Sequence, residues 1–321
     1  MTSFVKNDYD ILSRHYDVIN YEYRIEKGAG KKLIRFMLNQ RKEYDAVFIW
    51  FGDVHATVGV NTGKALGKKT IVVAGGYDTT YIPEINYGFL SSRKNIMMAK
   101  THFGLADRVL VVDESLKRNV VGRLGISDNK IYVVPTGYDP EFWTPPRDNK
   151  KDIVLSVAAV DSINRARIKG IDKVVELAGE MPVNRFIIVG VSEEIAEKLN
   201  PRQFPNLEIL PEIPTEQLLK YYQTAKVYLQ LSMTEGLPNS LCEAMLCECV
   251  PVATNVGGIP NAVGETGFIV AGQDMKELTN ATIAAVDDME RGHLARERIK
   301  TMFPIEKREK SLVDTIDGLL A

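Results

Sequence analysis

Short runs of apolar, largely β-branched residues recur along the chain, and polar turns followed by helical patterns separate most of them. The first runs are DAVFIWFG (45–52), KTIVVAGG (69–76), RVLVVDES (108–115) and IYVVPTG (131–137). Each is nearly continuous in its apolar character, which predicts parallel strands buried on both faces. Between them HATVGVNTGKALGK, RKNIMMAKTHFGLAD and ESLKRNVVGRLG carry helical spacing and stop near Gly or Asp. After the linker-like YDPEFWTPPRDNKKD the alternation restarts. DIVLSVAAV, RFIIVGV, LEILPEI, KVYLQLS, VPVATN and TGFIVAG read as strands; GIDKVVELAGEM, TEQLLKYYQTA and NSLCEAMLCE read as helices.

Two βα arrays meeting near residues 145–151 predict an α/β protein of two Rossmann-like, doubly wound domains facing a cleft. A length of 321 residues agrees with two domains of ordinary size. The expected division is 1–147 and 148–303. The last segment is helical with a break at Pro304, and the helix of about 304–321 is expected to join the first domain. The chain opens on a helix, FVKNDYDILSRHYDV, with only Met1-Thr2-Ser3 before it. The first strand and the Gly-rich loop that would come after it are expected to be missing from the first domain as given: either that domain is shortened, or the start shown is not the full one.

Composition narrows the class. Hydrophobic residues make up 45% and charged residues 26%, as in soluble globular proteins, and a formal net charge of −2 gives no global reason to expect nucleic acid. No apolar run approaches the ~18 residues that span a bilayer. MTSFVKNDYD lacks the layout of a signal peptide, so a cytoplasmic location is expected. Cys242, Cys247 and Cys249 crowd one segment with no histidine near, and they read as small buried hydrophobes rather than a metal site.

The densest chemistry lies in TEGLPNSLCEAMLCEC (234–249), where Glu235 and Glu243 flank Gly-Leu-Pro-Asn-Ser. A capped surface helix, a catalytic carboxylate pair and a socket for a sugar attached to phosphate all fit the pair itself. Pro238 suits the first helical turn, where its missing N–H costs nothing, and Gly236 lets a ligand approach the backbone. The N–H groups around 237–240 then point out of a helix start whose dipole favours an anion. Glu243, one turn inside the helix, can reach hydroxyls of a ligand lying along that start.

The next segment, PVATNVGGIPNAVGETGFIV (251–270), together with EGLPNSLCEAM, resembles the E-x7-E element and succeeding stretch of retaining glycosyltransferases of family GT4, which have the GT-B fold. The likeness extends back to ADRVLVVDESLKRNV (106–120) and covers about two-thirds of the chain. It implies that Glu235 contacts the donor sugar and Glu243 the nucleotide ribose, while Gly236, Leu237, Pro238, Asn239 and Ser240 take sugar or phosphate. Lys169, in the loop VAAVDSINRARIKGID, sits at the family's lysine, whereas the expected arginine falls at Ala159; Arg165 or Arg167 is expected to supply that charge from a longer loop. The base is expected against Pro211, Glu212 and Ile213. The resemblance implies no metal and no cofactor beyond a nucleotide-diphosphate sugar as donor substrate, with positioning and neutralisation of the departing phosphate as the main task.

The first array is expected to serve a glycan, lipid-linked or small-molecule acceptor. Asp78 follows Gly75-Gly76-Tyr77 at one strand end, Asp53 and His55 stand at another, and Asp78 and His55 join Glu235 and Lys169 as candidate catalytic residues. His15, His102 and His293 read as helix residues. RIEKGAGKKLIRFMLNQRK (24–42) mixes Lys27, Lys31, Lys32 and Arg35 with Leu33, Ile34, Phe36, Met37 and Leu38. Such a helix either packs its apolar side on the core or lies on an anionic membrane surface, giving peripheral attachment at the inner membrane face. The expectation is a hexosyltransferase-type enzyme moving a sugar with retention. The alternatives are a GT-B protein that binds nucleotide-sugar with little or no transfer, and a GT-B nucleotide-sugar epimerase.

Overall fold

The computed structural model describes residues 3–146, 151–199, 201–288 and 290–321. The expected boundary at 147/148 lies outside the described residues. By its contacts the chain divides into Met1–Gly137 with Ile305–Ala321, and Tyr138–Pro304. Each unit holds one parallel sheet, and strands form at the apolar runs identified above.

The first unit contains β1 (Ala46–Trp50), β2 (Lys69–Ala74), β3 (Arg108–Val111) and β4 (Ile131–Val133), hydrogen-bonded in that spatial order. Alternation along each strand divides the side chains between two faces. Phe48, Trp50, Ile71, Val73 and Leu110 pack with Ile11 and Leu12 of helix Ser3–His15 and with Leu312, Ile316 and Leu319 of helix Ile305–Leu320. On helix Val54–Ala65, Gly59 comes up against Ile49 and Gly63 against Thr70; a Cβ at either glycine would press on these side chains and force them to shift.

The terminal helices are joined by a buried ion pair across 300 residues of sequence. Arg308 grips Asp8 with two parallel bonds, Nε to Oδ1 at 3.0 Å and Nη2 to Oδ2 at 2.6 Å, and Nη1 donates to the Val134 carbonyl. Trp50 Nε1 donates to the same carboxylate at 2.9 Å. Every charge is met by a partner of fixed geometry, the condition under which a buried pair is tolerated. The C-terminal helix thus belongs structurally to the first unit.

The second unit contains β5 (Ile153–Val160), β6 (Arg185–Val191), β7 (Leu207–Leu210), β8 (Ala225–Gln230), β9 (Val250–Thr254) and β10 (Phe268–Val270), in the spatial order β10-β9-β8-β5-β6-β7. The chain winds outward from β5 through β6 and β7, then returns to the other side of β5 and winds outward again through β9 and β10. Between β5 and β8 the winding reverses, and the loops after those two strands part there. Open α/β sheets bind ligands at such a point, outside the carboxyl ends of the strands.

Candidate functional site

Both loops at the reversal carry candidate residues. After β5 the chain forms a short helix, Ile163–Ile168, which Ser162 starts by accepting from the Arg165 N–H at 3.2 Å. Arg165 and Arg167 therefore lie on a helical turn rather than an extended loop. Both are exposed, and neither guanidinium has a protein hydrogen bond or ion pair among the described residues. Gly170 comes next in the left-handed region (φ 69), pressed against the Leu231 carbonyl where a Cβ would not fit. That close approach draws Lys169 to the end of β8.

After β8, Glu235 receives the lysine. Lys169 Nζ lies 2.6 Å from Glu235 Oε1, with side chains 22% and 12% exposed. The same oxygen accepts from Ser232 Oγ at 2.7 Å and Gln230 Nε2 at 3.2 Å. The Gly-Gly turn after β9 backs this loop. Gly258 N–H donates to the Gly236 carbonyl at 2.7 Å, and Gly257 (φ 56) lies so close to the Glu235 carbonyl that a Cβ would collide. Pro238 precedes helix Asn239–Leu246, which has no side-chain cap at its start. Asn239 Oδ1 instead accepts from Tyr138 at 2.9 Å.

Glu243 is placed differently from Glu235. It is 8% exposed, and its Oε2 accepts from the fully buried Tyr222 at 3.1 Å. Burial pushes its carboxyl up to about 7, against the downward pull of the Tyr222 hydrogen bond. The cysteines beside it are fully buried with free thiols, and burial pushes Cys242 up to about 12. Pro211 and Glu212 are exposed just past the end of β7, beside a half-buried Ile213.

In the first unit, Asp78 is 1% exposed and its oxygens face the main chain. It accepts from Gly52 N–H at 2.8 Å, Gly76 N–H at 2.9 Å and Gly75 N–H at 3.2 Å, tying the end of β1 to the end of β2. Burial raises its carboxyl, opposed by these amides. His55 Nε2 lies 2.8 Å from the Trp50 carbonyl, and Nδ1 meets Asp53. Burial pulls this imidazole down, but the Asp53 carboxylate and the Trp50 carbonyl outweigh it and its affinity for a proton is raised. Both ring nitrogens thus face acceptors. His102 is fully buried beside Thr57 Oγ1 at 3.0 Å, and burial lowers it to about 4.

The residues that sequence reasoning passed over are Gln230, Ser232 and Tyr222. A signal for the first two exists: Tyr228, Gln230 and Ser232 alternate with leucines, which places three polar groups on one face of an otherwise apolar run. Among the described residues no group of three or more His, Cys, Asp or Glu could hold a metal ion, and no helix is long and apolar enough to cross a membrane.

Comparison with known proteins matches these two units to two family models. One described as Glycosyltransferase Family 4 matches residues 8–142, and one described as Glycosyl transferases group 1 matches residues 152–288. A phosphatidylinositol N-acetylglucosaminyltransferase subunit from Arabidopsis thaliana is 24% identical over 74% of this chain and 56% of that protein. D-inositol 3-phosphate glycosyltransferase from Mycolicibacterium smegmatis is 27% identical over 67% of this chain and 52% of that protein. The chain thus spans about half the length of these curated relatives. Among solved structures, sucrose-phosphate synthase from Thermosynechococcus elongatus superposes with a TM-score of 0.76 at 19% identity, covering 95% of this chain and 82% of that one. A protein from Anabaena in complex with UDP-glucose gives a TM-score of 0.78 at 14% identity, covering 97% and 88%.

Proposed function

The chain belongs to the group 1, family 4 glycosyltransferases of GT-B fold, and on that premise we propose that it moves a sugar from a nucleotide-diphosphate sugar to an acceptor with retention. The observation that carries this reading is the meeting of Lys169 and Glu235 where the winding of the second sheet reverses. A nucleotide sugar presents vicinal hydroxyls beside two phosphates, and this site offers a carboxylate beside a cation and an uncapped helix start. Glu235 takes a sugar hydroxyl. Gly236, Leu237, Pro238, Asn239 and Ser240 form the turn that meets sugar or phosphate, and Glu243 stands nearest the ribose.

Lys169 neutralises the departing diphosphate, with the exposed Arg165 and Arg167 as further cations. Such fixed charges act where negative charge grows as the sugar–phosphate bond breaks. The reading calls for no metal. Pro211, Glu212 and Ile213 are assigned to the base. Binding without transfer and epimerisation are not favoured, since the relatives are named as transferases and a synthase.

Two of the relatives are named for phosphatidylinositol and inositol 3-phosphate, so an inositol phosphate head group is the first acceptor class to test. Peripheral membrane contact through 24–42 is the finer part of the reading. On helix Ala29–Asn39, Lys31, Lys32, Ile34, Arg35 and Leu38 are exposed, and Ile25 just before it is 95% exposed. Cations among exposed aliphatic side chains suit an anionic bilayer surface.

A thermal-shift screen against UDP-, GDP- and ADP-sugars, with product analysis of the stabilising donor, tests the transfer reading. One donor should raise Tm and yield a product of unchanged anomeric configuration; no shift with any of them rejects the reading. Co-sedimentation with liposomes that does not depend on anionic lipid removes the membrane part.

A further inference from the structure

Oε1 of Glu235 accepts from Lys169, Ser232 and Gln230, while Oε2 takes no protein donor among the described residues. The donors behind it form a chain. Gln230 Nε2 donates to Ser232 Oγ at 2.8 Å as well as to Glu235. Gln230 Oε1 accepts from Tyr228 at 3.3 Å and from Ser240 Oγ at 3.4 Å. The Glu235 carboxylate sets the amide's orientation, because the reverse would turn the amide oxygen against it; Tyr228, whose single hydrogen also reaches the Val157 carbonyl at 3.3 Å, fits either way.

Gln230 is 4% exposed and Ser232 fully buried, so neither side chain can serve a ligand directly. A buried amide and hydroxyl at the end of an apolar strand are tolerated when every group is paired. Here the pairing runs towards one oxygen of the part-exposed carboxylate. Resting on the transferase reading for the role of Glu235, we propose that Gln230 and Ser232 are positioning residues that clamp Glu235 by Oε1 and turn Oε2 towards a ligand hydroxyl. Through Ser240, which opens the next helix, Gln230 also links that carboxylate to the turn assigned to sugar or phosphate. Loss of the clamp leaves the donor bound but its sugar less well oriented, which lowers turnover more than affinity.

The test is a set of variants of the full chain: Ser232→Ala, Ser232→Thr, Gln230→Leu and Glu235→Gln, each read in kcat, in donor affinity by calorimetry and in Tm. Ser232→Ala is expected to lower kcat about tenfold while donor affinity changes less than about threefold, and Ser232→Thr, which keeps the hydroxyl, to restore most of the rate. In a Glu235→Gln background the same Ser232→Ala change is expected to cost less than about twofold further. An equal loss in both backgrounds, or an unchanged kcat in a folded Ser232→Ala protein, overturns the proposal. If Ser232→Ala does not fold, Gln230→Leu carries the same cycle.

Should the wild-type protein bind no nucleotide sugar, the transfer reading fails and the clamp is read in Tm alone. Shifts for Ser232→Ala and Glu235→Gln that are less than additive support it, and additive shifts overturn it.

Discussion

Each unit places carboxylates at the carboxyl ends of parallel strands, yet the two clusters have opposite characters. Asp78 in the first unit faces three main-chain N–H groups and almost no solvent. Glu235 in the second loads one oxygen with side-chain donors, keeps the other free of protein donors among the described residues, and sits beside a part-exposed lysine. A carboxylate satisfied by backbone holds the fold, because nothing that binds can compete with amides fixed by the strand ends. A carboxylate held on one side by side chains is oriented and still available. Residue type and strand-end location do not separate these cases; the identity of the hydrogen-bond donors does.

The sharpest way to break the comparison is Asp78→Ala. It leaves the N–H groups of Gly52, Gly75 and Gly76 buried without their acceptor, and is expected to destabilise the protein by about 3 kcal/mol or more in urea unfolding. An Asp78→Ala protein of native stability but without turnover would reverse the assignment and return Asp78 to the chemistry.

Lys169→Ala sharpens the other side. The Lys169–Glu235 pair is part-exposed, so its loss is expected to change stability by less than about 1 kcal/mol. Donor affinity measured by calorimetry is expected to fall about 10- to 100-fold if Lys169 is the cation proposed to face the diphosphate. Arg165→Ala and Arg167→Ala are expected to lose less, because each sits exposed and unanchored at the same reversal. No loss in either means that the second cation comes from elsewhere.

Much of this arrangement was legible in the sequence because it depends on local pattern. Apolar runs such as KTIVVAGG and RFIIVGV mark strands buried on both faces, and Gly236, Pro238 and the Gly257-Gly258 turn mark backbone that must bend tightly. The parts that escaped depend on residues far apart in the chain. Tyr222 meets Glu243 from another helix, and Arg308 meets Asp8 across almost the whole sequence. Asp78 reads the same in sequence whether it faces a cleft or three amides. The stretch holding Arg165 and Arg167 reads as a loop because the short helix that carries them depends on a cap by Ser162, not on an apolar repeat.

Glu243 tests the comparison most finely, for it lies in the second unit's site but is buried like Asp78. Its carboxyl titrates at about 7 in the folded chain against 4.5 ordinarily, with burial as the cause. The folded state therefore binds more protons than the unfolded state between those values, so stability is fully present below about 4.5 and is lost as pH rises towards 7. Glu243→Gln keeps an oxygen for Tyr222 and removes the ionisation. Relative to wild type, the variant is expected to gain on the order of 1–3 kcal/mol between pH 5 and pH 8, read as the difference between two urea unfolding series. Asp78 and the other titrating groups are common to both proteins, so their contributions drop out of that difference. Parallel series would mean that Glu243 remains ionised and open to water, and would place it with Glu235 rather than with Asp78.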